Sequence, residues 1–262
     1  MRIVVLVKDV PDTYGDRRLD LETGLADRAA GENVLDEIGE RALEVALSYA
    51  DAHPGTEVVA MTMAPEDAAA RLRKALAMGA ASAVHIADER LRGADLGLTA
   101  RVLSAAIRRG GFDLVVTGNL STDGVGGVLP AMIAEHLGVA HATALASVDL
   151  GESALTATRA SDAGTATVAA ELPAVISITE ALPEPRYPNF KGIMAAKKKP
   201  VETLSLDDLG VDAEDFSVPM TILTEVAERP PRGAGIRIDA LGDDAPAAAE
   251  RLVAFLSENR LV

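Results

Sequence analysis

The residues best suited to chemistry lie in one loop, Thr117-Gly-Asn-Leu-Ser-Thr-Asp-Gly-Val-Gly-Gly127, set between an apolar run and a helical pattern. Glycines let backbone amides close on an anion, and the helix that follows turns its positive end to the same place. The chemistry expected here is phosphate binding. The spacing fits neither the P-loop nor the dinucleotide fingerprint, and no lysine follows to meet a γ-phosphate. Phosphate retention without phosphoryl transfer is the reading, against a plain tight turn closed by Ser121 and Asp123.

A second stretch, Glu184-Pro-Arg-Tyr-Pro-Asn-Phe-Lys-Gly-Ile-Met-Ala-Ala-Lys-Lys-Lys-Pro200, opposes the rest of the chain in charge. The formal net charge is -15, yet Arg186, Lys191 and Lys197 to Lys199 crowd together here. Phe112 begins a predicted core strand and Phe216 and Phe255 lie elsewhere, so Phe190 is the phenylalanine of an exposed segment. Exposed apolar groups ringed by charge anchor protein partners, the first supplying contact energy and the second orientation. The plainer alternative is a solvated loop with a stray aromatic.

Elsewhere the side chains exclude more than they offer. Cysteine is absent, which removes disulfides, thiol nucleophiles and Cys-ligated metal centres and fits a reducing compartment. His53, His85, His136 and His141 show no metal-ligand spacing, and Ser121, Ser147 and Ser161 lack a nucleophile-elbow context. Carboxylates fall mostly on predicted helix faces and read as solvated. A pI near 4.7 and 3% aromatic content argue against a nucleic-acid binder. Apolar runs are far shorter than the ~20 residues of a membrane span, and no signal peptide is evident. The expectation is a soluble cytoplasmic protein.

The elements that must position these residues follow in order. Residues 2–8 form a continuous apolar run suited to a strand buried on both faces. After a polar excursion over 9–32, residues 33–36 cap a helix reaching about 52. A strand at 56–63 precedes a helix opened by Pro65, with Leu72, Ala75, Leu76 and Met78 as its buried stripe and Gly79 as its stop. Strand 82–86, helix 95–109, strand 112–118 and helix 128–137 continue the rhythm. Alternation of this kind predicts an α/β fold, a mostly parallel sheet with helices on both faces.

Strands at 144–150, 154–159, 165–170 and 174–178 are joined by turns too short for helical crossovers, so added antiparallel hairpins are expected. Residues 201–210 read as a strand and a helical turn, and 211–235 as an extended segment. A helix over 245–259, with Leu252, Val253, Phe255 and Leu256 on one side, closes the chain. The tail has too few apolar groups to be a domain and must dock elsewhere. The division expected is a nucleotide-binding domain over 1–223 and a C-terminal arm over 224–262.

Five blocks together resemble the β subunit of electron transfer flavoproteins over essentially the full chain. They are Val4-Val-Leu-Val-Lys-Asp-Val-Pro-Asp12, Ala75-Leu-Ala-Met-Gly-Ala80, Ser121-Thr-Asp-Gly-Val-Gly-Gly127, Leu172-Pro-Ala-Val-Ile-Ser177, and Glu184-Pro-Arg186 with Gly192-Ile-Met-Ala-Ala-Lys-Lys-Lys199. The resemblance implies an adenine-nucleotide-hydrolase-like fold and an electron carrier of fatty acid oxidation without substrate chemistry of its own. It implies an α-subunit partner holding most of the FAD, electrons accepted from acyl-CoA and related flavin dehydrogenases, and delivery to a quinone reductase. It also implies AMP as a structural ligand of this subunit, held by Leu6, Asn33, Val34, Leu35, Asp36, Met63, Gly118, Asn119, Ser121, Thr122, Asp123, Gly124, Val125, Gly126, Gly127, Val128 and Leu129.

The partner loop of the family maps onto Arg186, Tyr187, Phe190, Lys191, Ile193 and Met194, with Phe190 where a leucine is often found. Two departures stand out. Many bacterial members carry Asp-Gly-Asp-Thr-Ala-Gln where this chain has Asp123-Gly-Val-Gly-Gly-Val128, leaving phosphate binding to amides, and Ala160 replaces a frequent acidic residue. The competing readings are a stand-alone adenine-nucleotide-binding or hydrolysing protein, and a bifurcating-type subunit with a second FAD in place of AMP.

Overall fold

The computed structural model describes residues 1–15, 17–215, 217–218, 220–239 and 245–262. Phe216 and Pro219 lie outside the described residues. Two compact units result, Met1–Glu225 and Val226–Val262.

The first unit is built on a nine-stranded sheet in the order β11-β5-β4-β1-β6-β10-β7-β8-β9. Its strands are β1 (Arg2–Leu6), β4 (Glu57–Met63), β5 (Ser82–Ile86), β6 (Leu114–Gly118), β7 (Ala140–Leu150), β8 (Ala154–Ser161), β9 (Gly164–Glu171), β10 (Ala174–Ile178) and β11 (Val201–Leu204), while β2 (Asp9–Pro11) and β3 (Asn33–Leu35) form a separate antiparallel pair. The pairings from β11 through β7 are parallel and those from β7 to β9 antiparallel.

Alternation along each central strand divides the core. Ile3, Val5, Val58, Leu114, Val116 and Ile176 face α1 (Glu37–Ala52) and α2 (Ala69–Met78), whereas Val4, Val59, Val115 and Val175 face α3 (Leu96–Gly110) and α4 (Leu129–Leu137). Continuous apolar runs are what a strand covered on both sides requires. The stripe expected on α2 is the buried one, and Gly79 ends the helix at φ 150. Pro65 opens a short 3-10 turn before α2 rather than the helix itself.

Three further expectations change. Phe112 lies two residues before β6 and is half-buried, because the segment reaches the sheet only at Leu114. Asn33–Leu35 is a strand, not helix cap, and Asp36 at the N-cap position makes no capping bond. β10 does not pair with β9: it inserts between β6 and β7, parallel to both. The reason is burial, since all five residues of β10 are buried whereas β9 is largely exposed and suits the sheet edge.

Past β11, Ser205 caps α6 (Leu206–Leu209) in a capping box. The chain then runs over α3, with Arg101 donating to the Asp212 carbonyl and Asp95 accepting from the Thr221 amide. In the second unit α7 (Ala245–Glu258) is the only regular element among the described residues, with Leu252 and Val253 exposed. No helix among the described residues is long and apolar enough to cross a membrane.

Candidate functional site

Chain order reverses at β1. From β1 the chain proceeds to β4 and β5 on one side, then returns to β6 on the other. A crevice opens beyond the carboxyl ends of strands at such a switch point, and this is where open α/β sheets take ligands. Leu6, Met63 and Gly118 are the last residues of the three adjacent strands there. Gly118 permits a close approach of α1, since a Cβ would lie 2.6 Å from the Ile38 side chain.

The loop after β6 is fixed from several sides. The Asn119 amide donates to the Ile178 carbonyl at 2.9 Å, and the Thr122 amide donates to Asp36 Oδ2 at 2.9 Å. Asp123 is its electrostatic hub. Lys8 Nζ donates to Asp123 Oδ1 at 2.7 Å, Arg28 Nη2 to Oδ2 at 3.2 Å, and the Gly124 amide to Oδ1 at 2.6 Å. Burial opposes its ionisation, but the hydrogen bonds from Lys8 and Ser121 and the Lys8 charge hold the carboxyl down to about 2. Arg17 donates to the Thr122 carbonyl, so the excursion over 9–32 reaches back onto the loop.

Beyond Gly124 the loop is open. Gly124, Val125, Gly126, Gly127 and Val128 are exposed, and among the described residues the amides of Gly126, Gly127 and Val128 have no hydrogen-bond partner. They precede α4, whose N-cap residue, Val128, offers no side-chain cap. Val125, a β-branched residue, is held at φ 50, a strained conformation that concentrates at functional turns. Free amides just ahead of a helix N-terminus are the kind of donor set that binds phosphate.

Asn33, Val34 and Leu35 lie beside β2, with Asn33 Oδ1 buried and without a hydrogen-bond partner; Leu129 begins α4. A buried acceptor without a partner and a row of open backbone donors fit a nucleotide's base or sugar and its phosphate. Lys8, Arg17 and Arg28 are not among the site residues that the sequence singles out. Lys8 was findable, since it follows β1 at the end where ligands bind. Nor does the sequence single out Asp9, buried at 4% and bound by Arg71, whose Nη2 donates to Asp9 Oδ2 at 2.9 Å.

The stretch over 184–200 forms a short helix, α5 (Phe190–Ala196), whose N-cap Asn189 accepts from the Gly192 amide. Tyr187 is 92% exposed and Phe190 79%, with Ile193 and Met194 each about half exposed beside them. Lys191 is exposed. Arg186 is turned inward, pairing with Glu44 at 2.8 Å and Asp51 at 2.9 Å on α1. The lysine run also divides: Lys197 and Lys198 are exposed, while Lys199 Nζ donates to the carbonyls of Leu76 at 2.9 Å and Ala80 at 2.6 Å.

Comparison with known proteins places this geometry. A family model for the electron transfer flavoprotein domain matches residues 23–209. The chain is 43% identical over 259 aligned residues to the electron transfer flavoprotein subunit beta of Mycobacterium tuberculosis strain H37Rv, covering 96% of this chain and 97% of that one. It is 34% identical over 216 residues to the subunit of that name in Bacillus subtilis, covering 82% and 83%. Identity is 31% over 265 residues, with both chains fully covered, to the caffeyl-CoA reductase-Etf complex subunit CarD of Acetobacterium woodii. A chain matched along nearly its whole length, with an open glycine loop after β6 and an exposed apolar helix, belongs to the β-subunit family of the electron transfer flavoproteins.

Proposed function

We propose that this chain is the nucleotide-retaining, partner-docking half of a heterodimeric electron carrier. Its α-subunit partner holds FAD, which supplies the electron-accepting chemistry when bound. The carrier takes electrons from acyl-CoA and related flavin dehydrogenases in fatty acid oxidation and passes them toward a quinone reductase in the cytoplasm. The observation that carries this is the bare apolar surface formed by α5 and the residues leading into it, with Tyr187 and Phe190 its most exposed side chains. A side chain as large as Phe190 left in water is characteristic of a surface used by another protein.

The glycine loop takes AMP on this reading. Lys8 and Arg28 are engaged by Asp123, and Arg17 by the Thr122 carbonyl. The loop therefore offers amides enough for one phosphate, and these three cations are occupied. The pyrophosphate of a dinucleotide presents more acceptor oxygens over a longer span than three free amides serve, which favours the mononucleotide over a second FAD. The C-terminal arm over 226–262, with Ile236, Leu252, Val253 and Leu261 exposed, docks on the α subunit.

Co-expression with an α subunit tests the whole reading. The expected product is a yellow heterodimer that passes electrons from an acyl-CoA dehydrogenase to a dye. A pair without flavin, or one inert with the dehydrogenase, would sink it. Mass spectrometry of the released nucleotides separates one FAD plus AMP from two FADs.

A further inference from the structure

Glu44 lies in the middle of α1, with Ser48 and Asp51 one and two turns further along the same face. Its Oε2 accepts from the Arg186 amide at 3.0 Å and from Arg186 Nε at 2.8 Å. Its Oε1 accepts from Arg186 Nη2 and from the Ser48 hydroxyl, each at 2.8 Å. Asp51 adds a second ion pair to the same guanidinium. An exposed ion pair contributes little. This one differs, because Glu44 is buried at 9% exposure and binds the main chain of Arg186 as well as its side chain.

The far end of the same loop is tied to α2. Arg73 Nη1 donates to the Ala196 carbonyl at 3.1 Å, and Lys199 closes on the carbonyls at and beyond the helix end. Between the two ties, Gly192 sits so close to α2 that a Cβ would lie 2.4 Å from the Ala77 carbonyl oxygen. The backbone beneath Tyr187 and Phe190 is therefore tethered on both sides, while their side chains remain in water.

The geometry points to Glu44 as the positioning residue of the docking surface: by holding the Arg186 amide and guanidinium together, it fixes the direction in which Tyr187 and Phe190 meet the dehydrogenase. The inference rests on the reading of α5 as that surface. Glu44 touches neither partner nor cofactor, and its effect passes through the Arg186 backbone. A loop ordered in advance loses less conformational freedom on binding, so the contribution falls on affinity rather than on the transfer step.

The test uses the assembled heterodimer as the varied substrate of an acyl-CoA dehydrogenase, with dye reduction as the readout and flavin content and melting temperature measured alongside. Glu44→Ala should raise KM for the heterodimer about tenfold with kcat unchanged, and Glu44→Gln, which keeps an acceptor, should recover part of it. Arg186→Ala removes the same link from the loop side and leaves α1 intact, so it serves if the Glu44 variants fold poorly. In a Phe190→Ala background the Glu44 effect should shrink, because both act on one surface.

An unchanged KM in Glu44→Ala and Arg186→Ala, with a raised KM in Phe190→Ala, would overturn the positioning role and leave the docking reading standing. An unchanged KM in Phe190→Ala would remove the docking reading and the inference with it. A fall in kcat that tracks a lower melting temperature would reduce Glu44 to a stabilising residue and overturn the inference.

Discussion

Asp36 Oδ2 accepts a hydrogen bond from the Thr122 amide at 2.9 Å, joining the residue before α1 to the glycine loop 86 positions later. An acidic residue at a helix start ordinarily caps its own helix. Asp36 instead holds the loop, and it is 2% exposed.

Asp36→Ala leaves the Thr122 amide without its acceptor, so a loss of about 1–3 kcal/mol of stability is expected, with weaker nucleotide retention. Asp36→Asn keeps an acceptor and removes a buried charge. Burial, joined by the nearby Asp123 charge, raises the Asp36 carboxyl above its ordinary value despite the Thr122 amide. A raised value favours the fold fully below the unfolded pKa, and the advantage fades as pH rises through the folded one. The melting temperature of Asp36→Asn should therefore gain on wild type as pH climbs from about 4; a gap that stays constant with pH would contradict the raised carboxyl.

Asp123 has the opposite sign. Its carboxyl is held at about 2 in the fold against an ordinary 3.8, so its stabilising contribution is present above 3.8 and lost as pH falls through about 2. Denaturant midpoints of wild type and Asp123→Asn should differ by a constant amount above pH ~5 and converge toward pH ~2. Parallel curves to the lowest pH would remove the Lys8 and Ser121 contacts as the cause.

Gly192→Ala places a methyl group 2.4 Å from the Ala77 carbonyl oxygen, on backbone that cannot yield cheaply. A destabilisation of about 1–3 kcal/mol is expected from the displaced α5, with flavin content of the heterodimer intact. Electron transfer from the dehydrogenase should slow. A crystal structure of the variant showing α5 unmoved would refute the close-approach account.

The three lysines should separate cleanly. Lys199→Ala removes two part-buried hydrogen bonds to carbonyls around the end of α2 and should lower stability by about 1–2 kcal/mol. Lys197→Ala and Lys198→Ala should leave the melting temperature in place. Any effect of theirs on transfer should vanish at high salt, as exposed charges do; equal melting shifts for all three would dissolve the distinction.

Strand and helix alternation made the α/β core legible, because buried parallel strands and amphipathic helices leave different periods in the sequence. The glycine loop was legible for a related reason, since its residue types constrain the backbone directly. Pairings across long separations were not. Glu44 and Asp51 read as solvated helix carboxylates, and nothing near them announces that Arg186, 142 positions after Glu44, will cover both. Lys199 read as one of a surface run because its neighbours share its chemistry and differ only in direction. Turn length points β10 to a hairpin, whereas its apolar run, interrupted only by Ser177, suits the middle of the sheet.

The place of β10 sets an order of assembly. Residues 174–178 separate β6 from β7, and both earlier strands need β10 as a neighbour. During synthesis, β1, β4, β5 and β6 can pair as soon as they emerge, but β7 and its hairpin have no seat in that sheet until Ile178 has left the ribosome. Until then the open side of β6 is an unpaired edge, the kind of surface on which chains misassociate. A nascent chain stalled between residues 118 and 174 exposes that edge longest, and there a chaperone has the most to protect.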